Sequence, residues 1–426
     1  MKRIAIVLGR RTPFCKANGL FKDWQADDLG AFAIKELVAR APFSPDEIDE
    51  VILGNVLQPS HATNIARVAA VKAGLPERIP AFTVNRNCSS GMESVITAAN
   101  KIALGQADII LAGGFESMSN FPILFPRKMK DFLLGLNKAR SFPEKMRALF
   151  KFRPSLFYPQ VPEIADPLCG LSMGQTAEIL AREFKITRDE QDRFALRSQL
   201  KAAKATEDGR FKEEIIPIAI PPQCLSYQTI DDGPRGSQTL EALQKLPPVF
   251  DKATGSVTAG NSSPVTDGAC TLFVMSEERA KALGLKPLGY LIGSAEAGLD
   301  PARMGLGPAY AISKLLKETN IALKEIDLIE INEAFAAQVL AVVKACASKQ
   351  FAEKALNRSE ALGEIDIEKL NVNGGAIALG HPLGASGARL ILTLLNELNI
   401  RKKRLGIAAL CIGGGQGQAC LLEVES

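Results

Sequence analysis

Cys88 stands in the run Asn85-Arg86-Asn87-Cys88-Ser89-Ser90-Gly91-Met92, between an expected strand end and a helix rich in Ala and Ile. A thiol at a helix start feels the partial positive charge of unpaired backbone amides, which lowers its pKa and makes the thiolate accessible near neutrality. His381, one of two histidines in the chain, lies in Gly380-His381-Pro382-Leu383-Gly384-Ala385-Ser386-Gly387. A histidine flanked by Gly and Pro in a strand-to-helix turn is poorly explained as core filler. Cys411 follows a strand and precedes Ile412-Gly413-Gly414-Gly415-Gln416-Gly417. Glycines there let backbone amides approach a ligand closely and aim N–H groups at a negative oxygen. Taken singly, each feature has a plainer reading as an inert buried thiol or as turn geometry.

These residues need elements to hold them. Short β-branched runs alternate with amphipathic helical stretches: a first strand at Ile4–Gly9, the strand Val51–Leu53, a helix over Gly91–Gly105 and the strand Asp108–Ala112. The alternation predicts α/β layers with a mainly parallel sheet. The same order returns near the C-terminus, with Gly380–Gly387, a helix from about 388 to 398 and the strand Leu405–Leu410. Gly91, Thr97 and Asp108 have counterparts Gly387, Thr393 and Gly406 at separations of 296, 296 and 298, and Glu47-Ile48-Asp49 matches Glu325-Ile326-Asp327. An internal duplication of about 120–150 residues per half follows, the alternative being a chance match of spacings.

Residues 121–250 break the pattern with prolines at 122, 126, 143, 154, 159, 162 and 167 and a polar stretch from Pro217 to Ser237, as an inserted region would. Over 121–160 there are nine basic residues against two acidic, a net +7, so that the remainder of this +4 chain carries −3. Large apolar residues from Phe125 to Phe157 interleave with those charges. That pattern suits amphipathic helices meeting an anionic surface, an anionic cofactor or a partner protein; a solvated face over its own core is the alternative.

With 426 residues, 51 basic and 47 acidic side chains, and 46% hydrophobic residues, the composition is that of a soluble enzyme. Global charge gives no sign of nucleic-acid binding, and no apolar run reaches the ~20 residues of a membrane span. The N-terminal run has no small-residue cleavage site. Eight cysteines are scattered without a Cys-x-x-Cys pair, and two histidines cannot complete a structural zinc set. No metal is expected, and free thiols suggest the cytoplasm.

The stretches Asn87-Cys88-Ser89-Ser90-Gly91, Gly380 to Arg389 and Cys411 to Gly417, with Asn261-Ser262-Ser263 and Asn332-Glu333-Ala334-Phe335 between them, resemble the thiolase family. All occur in thiolase order over nearly the whole chain, and the combination is specific although each element is weak alone. The resemblance implies the thiolase fold: two duplicated βαβαβαββ halves in a five-layer αβαβα arrangement, with an inserted loop domain. The expected boundaries are 1–120 with 251–278 for the first half, 121–250 for the insert and 279–426 for the second half.

On the same resemblance, Cys88 matches the nucleophile that accepts an acyl group, His381 the base that activates it, and Cys411 a second thiol that moves a proton at the α-carbon. Two oxyanion sites are implied, one made by His381 with a water held by Asn332, the other by the backbone amides of Cys88 and Gly413. Ser263, Ala334 and Phe335 match positions near the pantetheine arm, and Met173 matches an acyl-pocket residue. Family members often carry His before that Met, where this chain has Ser172.

The implied ligands are acyl-CoA and coenzyme A, the latter a co-substrate with no permanently bound cofactor, in a homodimer or tetramer. Ser117-Met118-Ser119, Asn137-Lys138-Ala139-Arg140-Ser141 and Leu196-Arg197-Ser198 resemble the β-subunit of the trifunctional fatty-acid oxidation complex, whose partner is a hydratase/dehydrogenase subunit. Asn332-Glu333 and Cys411-x-Gly-Gly-Gly-x-Gly are closer to the acetoacetyl-CoA type. A 3-ketoacyl-CoA thiolase of broad chain length is the expected activity, with acetyl-CoA acetyltransferase as the alternative. A ketoacyl synthase would need a second histidine after Cys88, and a hydroxymethylglutaryl-CoA-type synthase would leave Cys411 without a role. A non-catalytic scaffold or membrane subunit, docking through 121–160, would ignore the reactive set.

Overall fold

The computed structural model describes residues 2–158 and 165–425. Pro159 and Pro162 of the insert lie outside them. The first half contains β1 (Ile4–Arg11), β2 (Glu50–Gly54), β3 (Ala81–Val84), β4 (Ile109–Glu116) and β5 (Thr266–Ser276). The second contains β6 (Gly289–Gly298), β7 (Leu328–Ile331), β8 (Leu405–Ile412) and β9 (Gln416–Glu423). They run in the order β7-β8-β9-β6-β1-β5-β4-β2-β3, and the two halves meet where Ile4–Ile6 pairs antiparallel with Gly289–Leu291.

Each half repeats one pairing scheme. β1 and β6 pair antiparallel with β5 and β9, which pair antiparallel with β4 and β8, which in turn pair parallel with β2 and β7. The place of β3 is marked in the second half by a parallel bridge between Ile329 and Leu370. The duplicated aspartates do the same work: Asp49 Oδ2 accepts the backbone N–H groups of Asp108 and Ile109 at 2.7 and 2.9 Å, and Asp327 Oδ2 those of Arg404 and Leu405 at 3.0 Å each. Asp108 therefore corresponds to Arg404, not Gly406. The expected mainly parallel sheet is corrected to a mixed one. The tight turn at 413–415, with Gly414 and Gly415 at φ +91° and +72°, can only return the chain antiparallel.

Strand alternation sets the layers. On β4, Ile110 and Ala112 face a shared core while Ile109, Leu111 and Phe115 face outward; on β8, Ala408 and Leu410 face the same shared core while Ile407 and Ala409 face away. The first half supplies α1 (Ala26–Val38) and α2 (Ile65–Lys72) to one outer layer, and α3 (Ser90–Ala103) to the middle. Within the insert come α4 (Arg127–Lys138), α5 (Phe142–Leu149), α6 (Met173–Glu183) and α7 (Arg188–Glu207). The second half adds α8 (Gly307–Thr319) and α9 (Ala336–Ala347) to the other outer layer and α10 (Leu383–Arg401) to the middle beside α3. The result is αβαβα.

α10 begins five residues before the expected 388 and absorbs Gly384 and Gly387. Their smallness serves helix contact: a Cβ on Gly91 would meet the Gly384 carbonyl oxygen at 2.6 Å, and one on Gly387 the Met92 nitrogen at 2.4 Å. The insert has two parts. α6 and α7 pack on the second half through Leu180, Phe194 and Ala195, whereas α4 buries only Met129 and α5 buries no residue. Phe132, Phe152, Phe157 and Phe125 form a chain of ring contacts that holds this outer part together. No helix among the described residues is long and apolar enough to cross a membrane.

Candidate active site

The two middle helices bring together the segments that carry Cys88 and His381, because Cys88 lies two residues before α3 and His381 two before α10, and these helices are in backbone contact. Asn87 takes a left-handed φ of +45°, which turns the chain from β3 into α3. Cys88 is half-buried. Burial raises its thiol pKa above the ordinary value; the N–H of Gly413 and its own N–H oppose this, and the Glu116 charge adds to it. The expected lowering by the helix start is thus overturned: desolvation of a thiolate outweighs the amides. A thiol held protonated in this way would need a base to act as a nucleophile.

His381 is buried, and its pKa is lowered to about 3 by burial first and the Arg389 charge second. The imidazole is therefore neutral. Ser386 Oγ donates its one proton to the Pro382 carbonyl at 2.9 Å, so His381 Nδ1 must be the donor to Ser386 Oγ at 2.6 Å. Nε2 then carries the lone pair and accepts from Asn332 Nδ2 at 3.3 Å. The one lone pair that can take a proton is thus on Nε2, engaged only by the long contact from Asn332. Asn332 Oδ1 is buried and has no hydrogen-bond partner among the described residues.

Cys411 closes β8, buried in an apolar cluster with Ala334, Phe335, Ala337, Val257 and Met304, against which Met173 and Phe250 pack. Burial holds its thiol well above the ordinary range, and the nearby Cys88 charge adds to this. Phe335 meets Phe250 edge to face at 5.9 Å. Ser263 N–H donates to the Ala334 carbonyl at 2.9 Å, which brings Ser263, Ala334 and Phe335 side by side. A cleft of about 620 Å³ opens beside Phe250, lined also by Leu171, Gln175, Ile179, Arg182 and Lys252. A second of about 360 Å³ lies by Arg86, Asn87 and Gln416. Neither is lined by the thiols themselves.

Asn87, Asp166 and Glu333 support this arrangement and were given no role from sequence. Asn87 Nδ2 donates to the Gly413 carbonyl at 2.8 Å, and Asp166 Oδ2 accepts from Gly414 N–H at 2.7 Å. Both fix the turn that aims Gly413 at Cys88. Glu333 accepts from Ser198 Oγ, Asn371 Nδ2 and Ile377 N–H, tying α7 to the loop before His381. Ser172, where His was expected, is the N-cap of α6, exchanging hydrogen bonds with Gln175. The Asn-Glu and Ser-x-x-Gln spacings carried a signal for these; the long-range pairs did not.

Residues 4–278 match the thiolase N-terminal domain family and residues 285–424 the thiolase C-terminal domain family. The chain is 42% identical over 425 residues to a 3-ketoacyl-CoA thiolase of Shewanella halifaxensis, covering 100% of this chain and 97% of that protein. It is 43% identical over 424 residues to one of Yersinia pestis, covering 99% and 97%. Among solved structures it is similar to a Bacillus anthracis acetyl-CoA acetyltransferase, at 39% identity and TM-score 0.84, covering 99% of each chain. It is also similar to human mitochondrial 3-ketoacyl-CoA thiolase in complex with CoA, at 38% identity and TM-score 0.83, covering 100% and 98%. With the duplicated fold and the starts of α3 and α10 in contact, these matches place the chain in the thiolase family.

Proposed function

We propose that the protein is a 3-ketoacyl-CoA thiolase, an acyltransferase that cleaves 3-ketoacyl-CoA with coenzyme A into acetyl-CoA and a shortened acyl-CoA, in fatty-acid β-oxidation. The observation that supports this is the close contact between the starts of α3 and α10, which carry Cys88 and His381 two residues upstream, with the His381 Nδ1 proton turned to Ser386 so that Nε2 holds the lone pair. His381 takes the Cys88 proton; the sulfur attacks the 3-keto carbon, and the bond between C2 and C3 breaks. Cys411 gives a proton to the departing α-carbon, forming acetyl-CoA. A second coenzyme A gives its thiol proton to the Cys411 thiolate and attacks acyl-Cys88, releasing the shortened acyl-CoA, and His381 returns its proton to the Cys88 sulfur.

Negative charge develops on two oxygens. Asn332 Oδ1, buried without a partner among the described residues, is the acceptor needed to hold a water beside His381, and that pair stabilises the first. The N–H groups of Gly413 and Cys88, which already face the Cys88 sulfur, stabilise the oxygen of the acyl intermediate. Met173 and its apolar neighbours receive the acyl group; Ser263, Ala334 and Phe335 border the pantetheine arm. Coenzyme A is the co-substrate, and the catalytic halves are residues 1–120 with 251–278, and 279–426, around the insert 121–250. Eight free thiols fit a cytoplasmic location.

Acetyl-CoA acetyltransferase remains the second reading, favoured by the likeness to the Bacillus enzyme. The outer part of the insert supports association with an anionic membrane or a hydratase/dehydrogenase subunit: Phe142 and Phe150 are each 77% exposed and Tyr158 82%, among the exposed Lys128, Lys130, Arg147 and Lys151. Homodimers or tetramers fit the same reading. Purified protein is tested with coenzyme A and acetoacetyl-CoA, then with longer 3-ketoacyl-CoA. Cleavage rising with chain length supports the degradative reading, preference for the four-carbon substrate favours the acetyltransferase, and inactivity toward all of them overturns both.

A further inference from the structure

Glu116, the last residue of β4, is fully buried and belongs to none of the reacting groups. Its carboxylate accepts four hydrogen bonds. Oε1 takes Asn55 Nδ2 at 2.9 Å and the Leu57 N–H at 3.1 Å; Oε2 takes the Val56 N–H at 3.0 Å and the Gly384 N–H at 3.0 Å. Three of these donors follow β2 in its own half. The fourth is in the first turn of α10, in the other half, three residues after His381. Pro382, the N-cap of α10, supplies no side-chain cap. Glu116 fills that role from across the junction of the halves.

The chemistry of this contact is specific. A helix start has unpaired N–H groups and partial positive charge, so a carboxylate there is a strong acceptor. Gly384 has no freedom to satisfy its N–H by shifting, since a Cβ at that position would lie 2.4 Å from the Phe115 carbonyl oxygen and 2.8 Å from that of Gly54. The backbone on both sides of the carboxylate is therefore packed in contact. Cys88 feels the Glu116 charge directly. One side chain thus contacts the helix start that carries His381 and lies electrostatically within reach of Cys88.

We propose that Glu116 is a positioning residue for the thiolase reaction: by capping α10 from the opposite half, it sets the placement of His381 relative to Cys88. This rests on the reading of His381 as the base. Glutamine has nearly the same size but offers only one acceptor oxygen, and its amide would turn a donor toward the Val56 or Gly384 N–H. Aspartate keeps the charge but is a methylene too short to reach all four donors. Placement errors near 1 Å cost about a hundredfold in rate.

Glu116→Gln and Glu116→Asp are assayed in acetoacetyl-CoA thiolysis alongside the rate of Cys88 alkylation by iodoacetamide, with near-UV circular dichroism as the check on folding. The expected result is a folded protein in which kcat falls about 10- to 100-fold, KM for coenzyme A stays within about twofold, and Cys88 alkylation slows in parallel. Folded variants with wild-type kcat and alkylation overturn the proposal, as does a change confined to KM. Failure of both variants to fold also overturns it, making Glu116 a folding residue only. His381→Ala is run beside them: if it retains wild-type turnover, the reading of His381 as base fails, independently of what Glu116 does.

Discussion

His381 and Ser386 lie five residues apart across the start of α10, and His381 Nδ1 is 2.6 Å from Ser386 Oγ. Ser386 Oγ in turn spends its proton on the Pro382 carbonyl, one helical turn back. One hydroxyl therefore fixes both the ring orientation and the tautomer that leaves the lone pair on Nε2. Ser386→Ala removes this acceptor and leaves a buried N–H unpaired. Its kcat should fall about a hundredfold through loss of alignment, with KM for coenzyme A little changed. A variant at wild-type kcat would show that the ring is held by other contacts.

The two thiols separate by chemistry. Brief incubation with acetyl-CoA followed by peptide mass spectrometry should place the acetyl group on Cys88, and Cys411→Ala should still be acetylated there. Because a positioned proton-transfer group contributes roughly 10²–10⁴-fold, thiolysis by Cys411→Ala should drop by about that factor. Acetylation on Cys411 instead, or near-normal turnover of the variant, contradicts the assignment.

Asn332 tests the first oxyanion site. Losing one donor from such a site costs on the order of 10²–10³ in kcat, so Asn332→Ala should lower kcat by that amount while coenzyme A affinity persists. A pure KM effect would count against the site.

Burial of a neutral His381 has a stability consequence. Its folded pKa, about 3, lies below the 6.5 of the free side chain, so between those values the unfolded chain binds a proton that the native protein excludes. Stability from this residue is therefore lost as pH falls from 6.5 toward 3, at about 1.4 kcal/mol per unit. Glu116 and Glu330, raised by burial to about 7 and about 8, act oppositely and lose stability as pH rises from 4.5. Urea unfolding of wild type and His381→Asn at about pH 6.5 and about pH 4.5 isolates the histidine. The wild type should lose more stability than the variant on acidification; equal losses would contradict a neutral buried imidazole.

Reversing Lys128, Lys130, Arg147 and Lys151 to Glu tests the insert. These side chains are exposed, and their attraction to an anionic partner is screened over about 8 Å at physiological salt. Co-sedimentation with anionic vesicles, or complex formation with a hydratase/dehydrogenase subunit, should disappear while short-chain thiolysis persists. Binding that survives reversal marks a solvated face; collapse of short-chain turnover assigns the segment to the substrate pocket or the fold.

The sequence by itself pointed to candidate reactive residues and to the repeat. Cys88, His381 and Cys411 stand out as candidates only through the order of several motifs along the chain, each weak alone, and Asp49 and Asp327 recur because both halves close the same strand start. Hydrophobic alternation likewise specified the layered α/β class. Tertiary structure alone decided the sign of the Cys88 shift, since desolvation depends on what surrounds the sulfur and not on its neighbours in the chain. It also decided why Gly384 and Gly387 are small, through a helix contact between segments roughly 300 residues apart. Glu116 was silent in sequence for the same reason: its Gly384 partner is 268 positions away, and only packing of the two halves makes a strand-end carboxylate the cap of the other half's helix.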